Sequence, residues 1–401
     1  MNNKAPLNCN RRSALLAITG AFASLAGCGG GGSDLAGLSS GGTGSFTSGT
    51  ITGLGSIIVN GIRYTDDAAT KINADDGSSG AVALQVGMVV TIEGSTVTPA
   101  ASADALPTAT ATRITYGSEW KGPVSNIQVG ASTFEILGLQ VDVLSSTVFA
   151  GDALTLGSLQ NTHYVEVYGY LDPADGHIQA SRIEVSTGQP NVYRLSGALT
   201  QLDRVARTAT LGPIALTWGA ALALPTGLAN GSQVRVRLDP ASSGAAWTVT
   251  RFSLPESPAA GLSEDREYEA EIHGRISAYT SNTSFSVNGL TVNATGVTIQ
   301  DNLALGVQVE VKGSLIAGEL KATRIEVKSA EDIEAKDFEF IGQLSDVSGQ
   351  TFVLRGETFE YDGETQVTGL TLAPGASGRV EVKARRTLAG GWYATRVKRE
   401  D

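Results

Sequence analysis

Hydrophobic residues recur at every second position along much of this chain, in short runs separated by turn residues. Tyr268, Ala270 and Ile272 alternate with Glu267, Glu269 and Glu271. Phe285 and Val287 alternate with Ser284 and Ser286, and Val309 and Val311 with Glu310 and Lys312. A period of two sends successive side chains to opposite faces, so each run predicts a strand with one buried and one wet face. On this reading His273, next to Ile272, points to solvent. Asn60-Gly61 and Asn288-Gly289 lie between apolar residues and predict tight hairpin turns, because both residue types tolerate positive φ. No long 3.6-residue period appears after the N-terminal segment. Ala83-Leu84-Gln85-Val86-Gly87 and Leu303-Ala304-Leu305-Gly306 predict a helical turn or a tight loop.

Three phrases recur in a fixed order. One is Ala111-Thr112-Arg113-Ile114, with counterparts around Arg182, Arg251, Arg324 and Arg396; successive arginines are 69, 69, 73 and 72 residues apart. Before each comes a Val-rich phrase: Val90-Thr91-Ile92-Glu93-Gly94, Val165-Glu166-Val167-Tyr168-Gly169, Val234-Arg235-Val236-Arg237, Val309-Glu310-Val311-Lys312-Gly313 and Val380-Glu381-Val382-Lys383. A Gly-containing phrase opens each unit, at Gly49, Gly122, Gly197, Gly274 and Gly342. Three phrases in one order define five units of about 70 residues, expected at 48–117, 118–189, 190–258, 259–331 and 332–401.

Each unit accommodates about five strands: a hairpin, a short third strand, then the Val-x-Val and Ala-Thr-Arg-Ile strands. So many strands in so few residues favour closure into a small barrel, which removes exposed edges. The expected fold is all-β, a tandem array of five OB-like β-barrels, with a flat sandwich as the alternative. Gly53-Leu54-Gly55-Ser56-Ile57-Ile58-Val59-Asn60-Gly61-Ile62-Arg63-Tyr64, followed by Leu84-Gln85-Val86-Gly87-Met88-Val89-Val90, resembles the bacterial repeat family called "domain of unknown function 5666". The resemblance is strongest in the first unit, fainter in the second and fourth, and faintest in the third and fifth. In the third unit Leu238 replaces the Gly after the Val strand. This resemblance implies architecture and no mechanism.

The N-terminus carries a different pattern. Lys4, Arg11 and Arg12 precede the apolar stretch Ala14–Ala23, and Leu25-Ala26-Gly27-Cys28 follows. The stretch is shorter than the ~20 residues of a spanning helix, so it predicts an export leader. The arrangement resembles a bacterial lipoprotein signal over residues 1–27. That resemblance implies cleavage before Cys28, lipidation of its thiol, and attachment to the membrane by several acyl chains. Arg11-Arg12 also resembles a loose twin-arginine signal, and both export routes stay open. Gly29, where Asp would follow the Cys, implies an outer-membrane lipoprotein of the cell envelope, facing the periplasm or the surface. Residues 28–47, rich in Gly and Ser, are expected to be a flexible tether.

Cys9 falls in the leader, so Cys28 is the one thiol expected to survive, and no disulfide or thiolate metal site is expected. The whole chain has a net charge of −11, and losing Lys4, Arg11 and Arg12 makes the mature chain more acidic still. Nucleic acid is therefore not an expected partner, because phosphate neutralisation needs clustered Lys and Arg. His163, His177 and His273 show no zinc-binding spacing, and no Gly-x-Ser-x-Gly elbow or phosphate loop occurs. No enzyme activity and no cofactor are expected.

Asn73-Ala74-Asp75-Asp76-Gly77 and Asp172-Pro173-Ala174-Asp175-Gly176 read as Asp-Gly turns rather than calcium loops. Trp120, Trp218, Trp247 and Trp392 occupy different positions in their units and read as packing residues. The repeated arginines read as structural partners of Glu93, Glu166, Glu310 and Glu381 across neighbouring strands. The functional expectation is a lipid-anchored, non-enzymatic scaffold or adhesion array with an envelope protein or glycan as partner. The alternative is a glycan- or small-ligand-binding protein that uses the barrel loops.

Overall fold

The computed structural model describes residues 43–73, 79–80, 82–103, 105–242, 245–299, 302–334 and 337–400. They all belong to one compact unit, Leu35–Asp401. Cys28, the leader and most of the Gly/Ser tract lie outside the described residues.

Strands β1 (Gly44–Leu54), β2 (Ile57–Val59), β3 (Ile62–Thr65), β4 (Thr70–Asn73), β5 (Val89–Gly94) and β6 (Thr108–Tyr116) form the first unit. β1 pairs antiparallel with β2 and β5, and β2 with β3. β3 runs parallel to β6, and β6 returns antiparallel to β5. The hydrogen-bonded circuit is therefore closed, as a barrel requires and a flat sandwich does not.

The same circuit recurs in the second unit, through β7 (Trp120–Gln128), β8 (Thr133–Ile136), β9 (Leu139–Gly151), β10 (Tyr164–Leu171) and β11 (Ile178–Ser186). The third unit closes through β12 (Tyr193–Asp203), β13 (Thr208–Leu211), β14 (Ile214–Thr217), β15 (Gln233–Leu238) and β16 (Trp247–Ser253). In the fourth the strands are β17 (Glu267–Ser281), β18 (Ser284–Val287), β19 (Leu290–Asn293), β20 (Gln308–Ile316) and β21 (Glu319–Val327). A short helix α1 (Ala330–Glu334) leads to the last unit: β22 (Phe338–Ser348), β23 (Thr351–Leu354), β24 (Glu357–Glu360), β25 (Gln366–Thr368), β26 (Gly378–Arg386) and β27 (Trp392–Arg399). Among the described residues no helix is long and apolar enough to cross a membrane. The segments around Leu84 and Leu303 are turns, with Gly87 and Gly306 at positive φ.

The recurring glycines have two local causes. In the β2–β3 turn and its counterparts, Asn60, Leu137, Asn288 and Arg355 hold positive φ before a Gly. Their side chains fold back over the opening glycine of β1 and its counterparts. A Cβ on Gly49 would meet Asn60 Oδ1 at 2.3 Å, and one on Gly274 would meet Asn288 Nδ2 at 2.0 Å. Asn60 donates to the Ser48 carbonyl (3.0 Å) and Asn288 to the His273 carbonyl (3.1 Å), which pins the turn. The glycine ending the Val strand sits at a β-bulge, where the last strand crosses very close. A Cβ on Gly169 or Gly313 would lie 2.1 or 2.0 Å from the carbonyl oxygen of Gln179 or Lys321.

The units share strands' edges and cores. Gly44–Ser48 of β1 run parallel to Tyr268–Ile272 of β17, and Gly53–Leu54 run parallel to Glu339–Phe340 of β22. Gly44–Thr47, which composition places in the flexible tether, are therefore buried strand. Gly44 lets β1 approach closely: a Cβ there would already touch the Tyr268 ring at 3.1 Å. Phe46 packs into the core of the fourth unit. The first and last units share one core, which Val148 and Tyr168 of the second unit enter, and the second and third units share another.

Candidate functional site

Cys28, the sequence-predicted lipidation site, lies outside the described residues, as does most of the loop after Asn73. In the second acidic loop Asp172 accepts from the Ala174 amide (2.9 Å) and pairs with Arg275 of the fourth unit (2.5 Å), so it works as a turn and a bridge. The tryptophans are packing residues. Trp120 is buried and donates to the Ser196 carbonyl (3.0 Å), Trp218 sits edge-on to Phe252, Trp247 edge-on to Tyr193, and Trp392 packs among Phe338, Phe340 and Phe359.

The predicted Arg–Glu pairs hold in one unit only. Arg113 pairs with Glu93 (3.1 Å). Elsewhere the register is the same but the facing residue is not Glu: Arg182 stands opposite Tyr168, Arg324 opposite Lys312 and Arg396 opposite Lys383. Glu93 holds the position of Tyr168, Lys312 and Lys383, two residues beyond that of Glu166, Glu310 and Glu381. Arg182 instead bonds Glu184 (2.9 Å) and the Val86 carbonyl of the first unit (3.1 Å), and Arg324 approaches Glu326 (3.7 Å).

The displaced glutamates serve other partners, mostly at unit junctions. Glu166 takes Arg194 of the third unit (2.7 Å) together with Lys121 (2.7 Å). Burial raises its carboxyl, but Arg194, Lys121 and Ser118 outweigh burial and hold it below the usual value. Arg63 of the first unit reaches Glu339 (2.6 Å) and Glu381 (3.5 Å) of the last. Glu339 is raised by burial and by Glu381, against the pull of Arg63.

His273 does not simply face solvent. Strands β17 and β20 place it opposite Glu310, and place Glu271 opposite Lys312. Its Nε2 lies 2.9 Å from Glu310 and 3.7 Å from Glu271. Lys312 and Lys328 reach Glu310 at 3.1 and 2.6 Å, and Lys312 reaches Glu271 at 3.4 Å. Glu271, expected on a wet face, is buried because β1 lies alongside β17. Burial pushes its carboxyl up to about 7, against Lys312 and with Glu310. For Glu310, burial is outweighed by His273, Lys328 and Lys312, and its carboxyl is held below the ordinary range. Glu271, His273 and Glu310 bring their ligand atoms within 4.8 Å of one another. Two ammonium groups already supply the positive charge that a cation would bring. The i, i+2 spacing of Glu271 and His273 was the available sequence signal; the missing knowledge was which residues of β20 stand opposite.

Two cavities lie where units meet. One, of about 620 Å³, is lined by Leu54, Asp66, Asp67 and Lys71 of the first unit, Arg182 of the second, and Phe340, Arg355, Glu357, Arg386 and Trp392 of the last. A second, of about 760 Å³, adjoins it through Val82, Ala83, Gln85, Ala150 and Arg182, and extends towards Lys121 and Tyr164. The Arg386 guanidinium lies over Trp392, 4.5 Å from the ring centre, and donates to the Gly390 carbonyl. Burial lowers its pKa to about 10; Glu357 opposes this and Arg182 adds to it. Nothing in the sequence marks Arg386. Arg355 could have been noticed as the residue standing where Asn60 and Asn288 stand.

Closed strand circuits joined edge to edge, with ionic clusters at the joints, define a protein of repeated small β-barrel-like units. The chain belongs to the family described as Domain of unknown function (DUF5666), whose model matches residues 48–99, 121–184, 273–326 and 341–398, more than half of the sequence. A search of curated proteins gave no match. Among solved structures, one described as drosophila Unr CSD456 is similar over 53% of this chain and 98% of its own, at 14% identity and a TM-score of 0.14.

Proposed function

We propose that this protein is a non-enzymatic scaffold of the cell envelope: five OB-like barrels displayed from a membrane by lipid on Cys28, offering their surface to an envelope protein or glycan. The observation that carries the scaffold reading is the sharing of β1, whose two halves run alongside strands of the fourth and last units. Such sharing ties sequence-distant units into one body, which suits a display platform better than a string of independent beads. The strand order within each circuit (first, second, third, fifth, fourth, and back to first) supports the OB-like assignment. The leader and the tetrapeptide ending in Cys28 support the tether.

Growth of a bacterium expressing the full chain with an alkyne-bearing fatty acid tests the tether. The protein should take up label and fractionate with the outer membrane, and Cys28→Ala should do neither. An unlabelled wild-type protein would overturn the lipid anchor.

A further inference from the structure

We propose that the cavity between the first, second and last units binds a hydroxylated carboxylate, a sugar acid, through the guanidiniums of Arg182, Arg355 and Arg386. The junction arginines elsewhere are matched by carboxylates: Arg63 by Glu339, Arg194 by Glu166, Arg275 by Asp172, and Arg235 by Glu119. Arg355 and Arg386 differ. Among the described residues no carboxylate oxygen comes within 4.0 Å of either guanidinium. Their printed hydrogen bonds go to the backbone carbonyls of Ile341 and Gly390.

Arg386 is also fixed in place. Its planar group lies over Trp392, and the cavity wall beside it is Phe340, Leu54 and Ile57. Arg182, whose own partners are Glu184 and the Val86 carbonyl, lines the same cavity as the half-buried Arg386, and a planar fork of N–H donors suits an oxoanion. Arg386 is lowered to about 10 by burial first, with Arg182 contributing, which is consistent with cationic groups crowded into one wall.

The acidic residues of the cavity select among oxoanions. Asp66 is taken by Lys71 (2.8 Å), which leaves Asp67 and Glu357 as hydrogen-bond acceptors on the lining. Acceptors beside a cationic wall suit a ligand that carries hydroxyls as well as one negative charge, and they repel a compact multiply charged ion. A volume of about 620 Å³ lies within the usual range for small-molecule sites. The adjoining cavity shares Arg182, so a second sugar residue has room to continue towards Lys121.

Calorimetric titration of the whole chain with galacturonate, trigalacturonate, galactose and inorganic phosphate tests this assignment. Both uronates should bind and galactose should not. Arg355→Asn places at the turn the residue that the first and fourth units already use there, so it should leave the unfolding temperature unchanged and weaken uronate binding by about tenfold or more. Arg386→Gln should weaken it similarly. Absence of uronate binding, uronate binding that both variants leave unchanged, or binding of phosphate alone would each overturn the sugar-acid site. None of these results bears on the lipid tether or on the sharing of β1.

Discussion

Glu271 and Glu310 stand in one cluster yet respond to pH in opposite directions. Burial raises Glu271 to about 7, so the folded protein keeps a proton there that the unfolded chain gives up near pH 4.5. From about pH 4.5 to 7 the folded state binds more protons at this site, and raising the pH removes stability. Glu310 is held low, so it contributes stability above pH 4.5 that is lost as the pH falls. Glu271→Gln keeps the shape and removes the ionisation. It should stabilise the protein by about 1–2 kcal/mol at pH 8 and leave it nearly unchanged at pH 4. Urea midpoints at the two pH values check this, and equal effects at both would exclude ionisation as the cause. At the junction of the second and third units, Arg194→Ala leaves the half-buried Glu166 with Lys121 and the Ser118 hydroxyl. It should destabilise by about 2–3 kcal/mol, read from the same denaturation curves.

At the scale of elements, the bulge glycines carry the sharpest expectation. Gly313 has an ordinary φ, so Gly313→Ala is opposed by contact alone, with Lys321 O at 2.0 Å. The backbone must shift, and a loss of about 2–4 kcal/mol should follow. Gly130→Ala, where nothing lies within 4 Å and φ is not positive, should be nearly neutral, and urea denaturation of the two variants side by side checks both. Strands, hairpin turns and repeats were legible in the sequence because alternation, Asn-Gly pairs and recurring phrases are local signals. Barrel-like closure followed from the number of strands available in so few residues. The Arg–Glu pairing failed in the other units because the strand facing the repeated Arg presents Glu at that position only in the first; Glu166, Glu310 and Glu381 stand two residues earlier, and phrase spacing does not reveal which residue faces the Arg. Nor was the burial of Glu271, since alternation reports which residues face a unit's own core and is blind to a neighbouring unit covering the other face. The Arg182–Arg355–Arg386 cluster joins residues from separate units, and no periodicity links them.

For the molecule as a whole, β1 decides how the units behave together. Phe46 belongs to β1 but packs in the core of the fourth unit with Tyr268, Ile272 and Leu315. Phe46→Ala should cost about 3–5 kcal/mol. It should also loosen the fourth unit: amide hydrogen exchange should accelerate in β18 and β19, which share that core, as well as in β1. If exchange rises in the first unit alone, the two units do not share a core in solution.

The same strand sets an order of assembly. Gly44 emerges early in synthesis, whereas its partner Tyr268 is made more than 200 residues later. At ribosomal rates of ~5–20 residues per second, that interval is roughly 10–45 s. Throughout it, the flank of β1 destined for β17 presents free amides and carbonyls beside a bare Phe46, an invitation to the wrong neighbour. A nascent chain of this kind depends on a holding factor, or on delayed folding, until its fourth unit arrives.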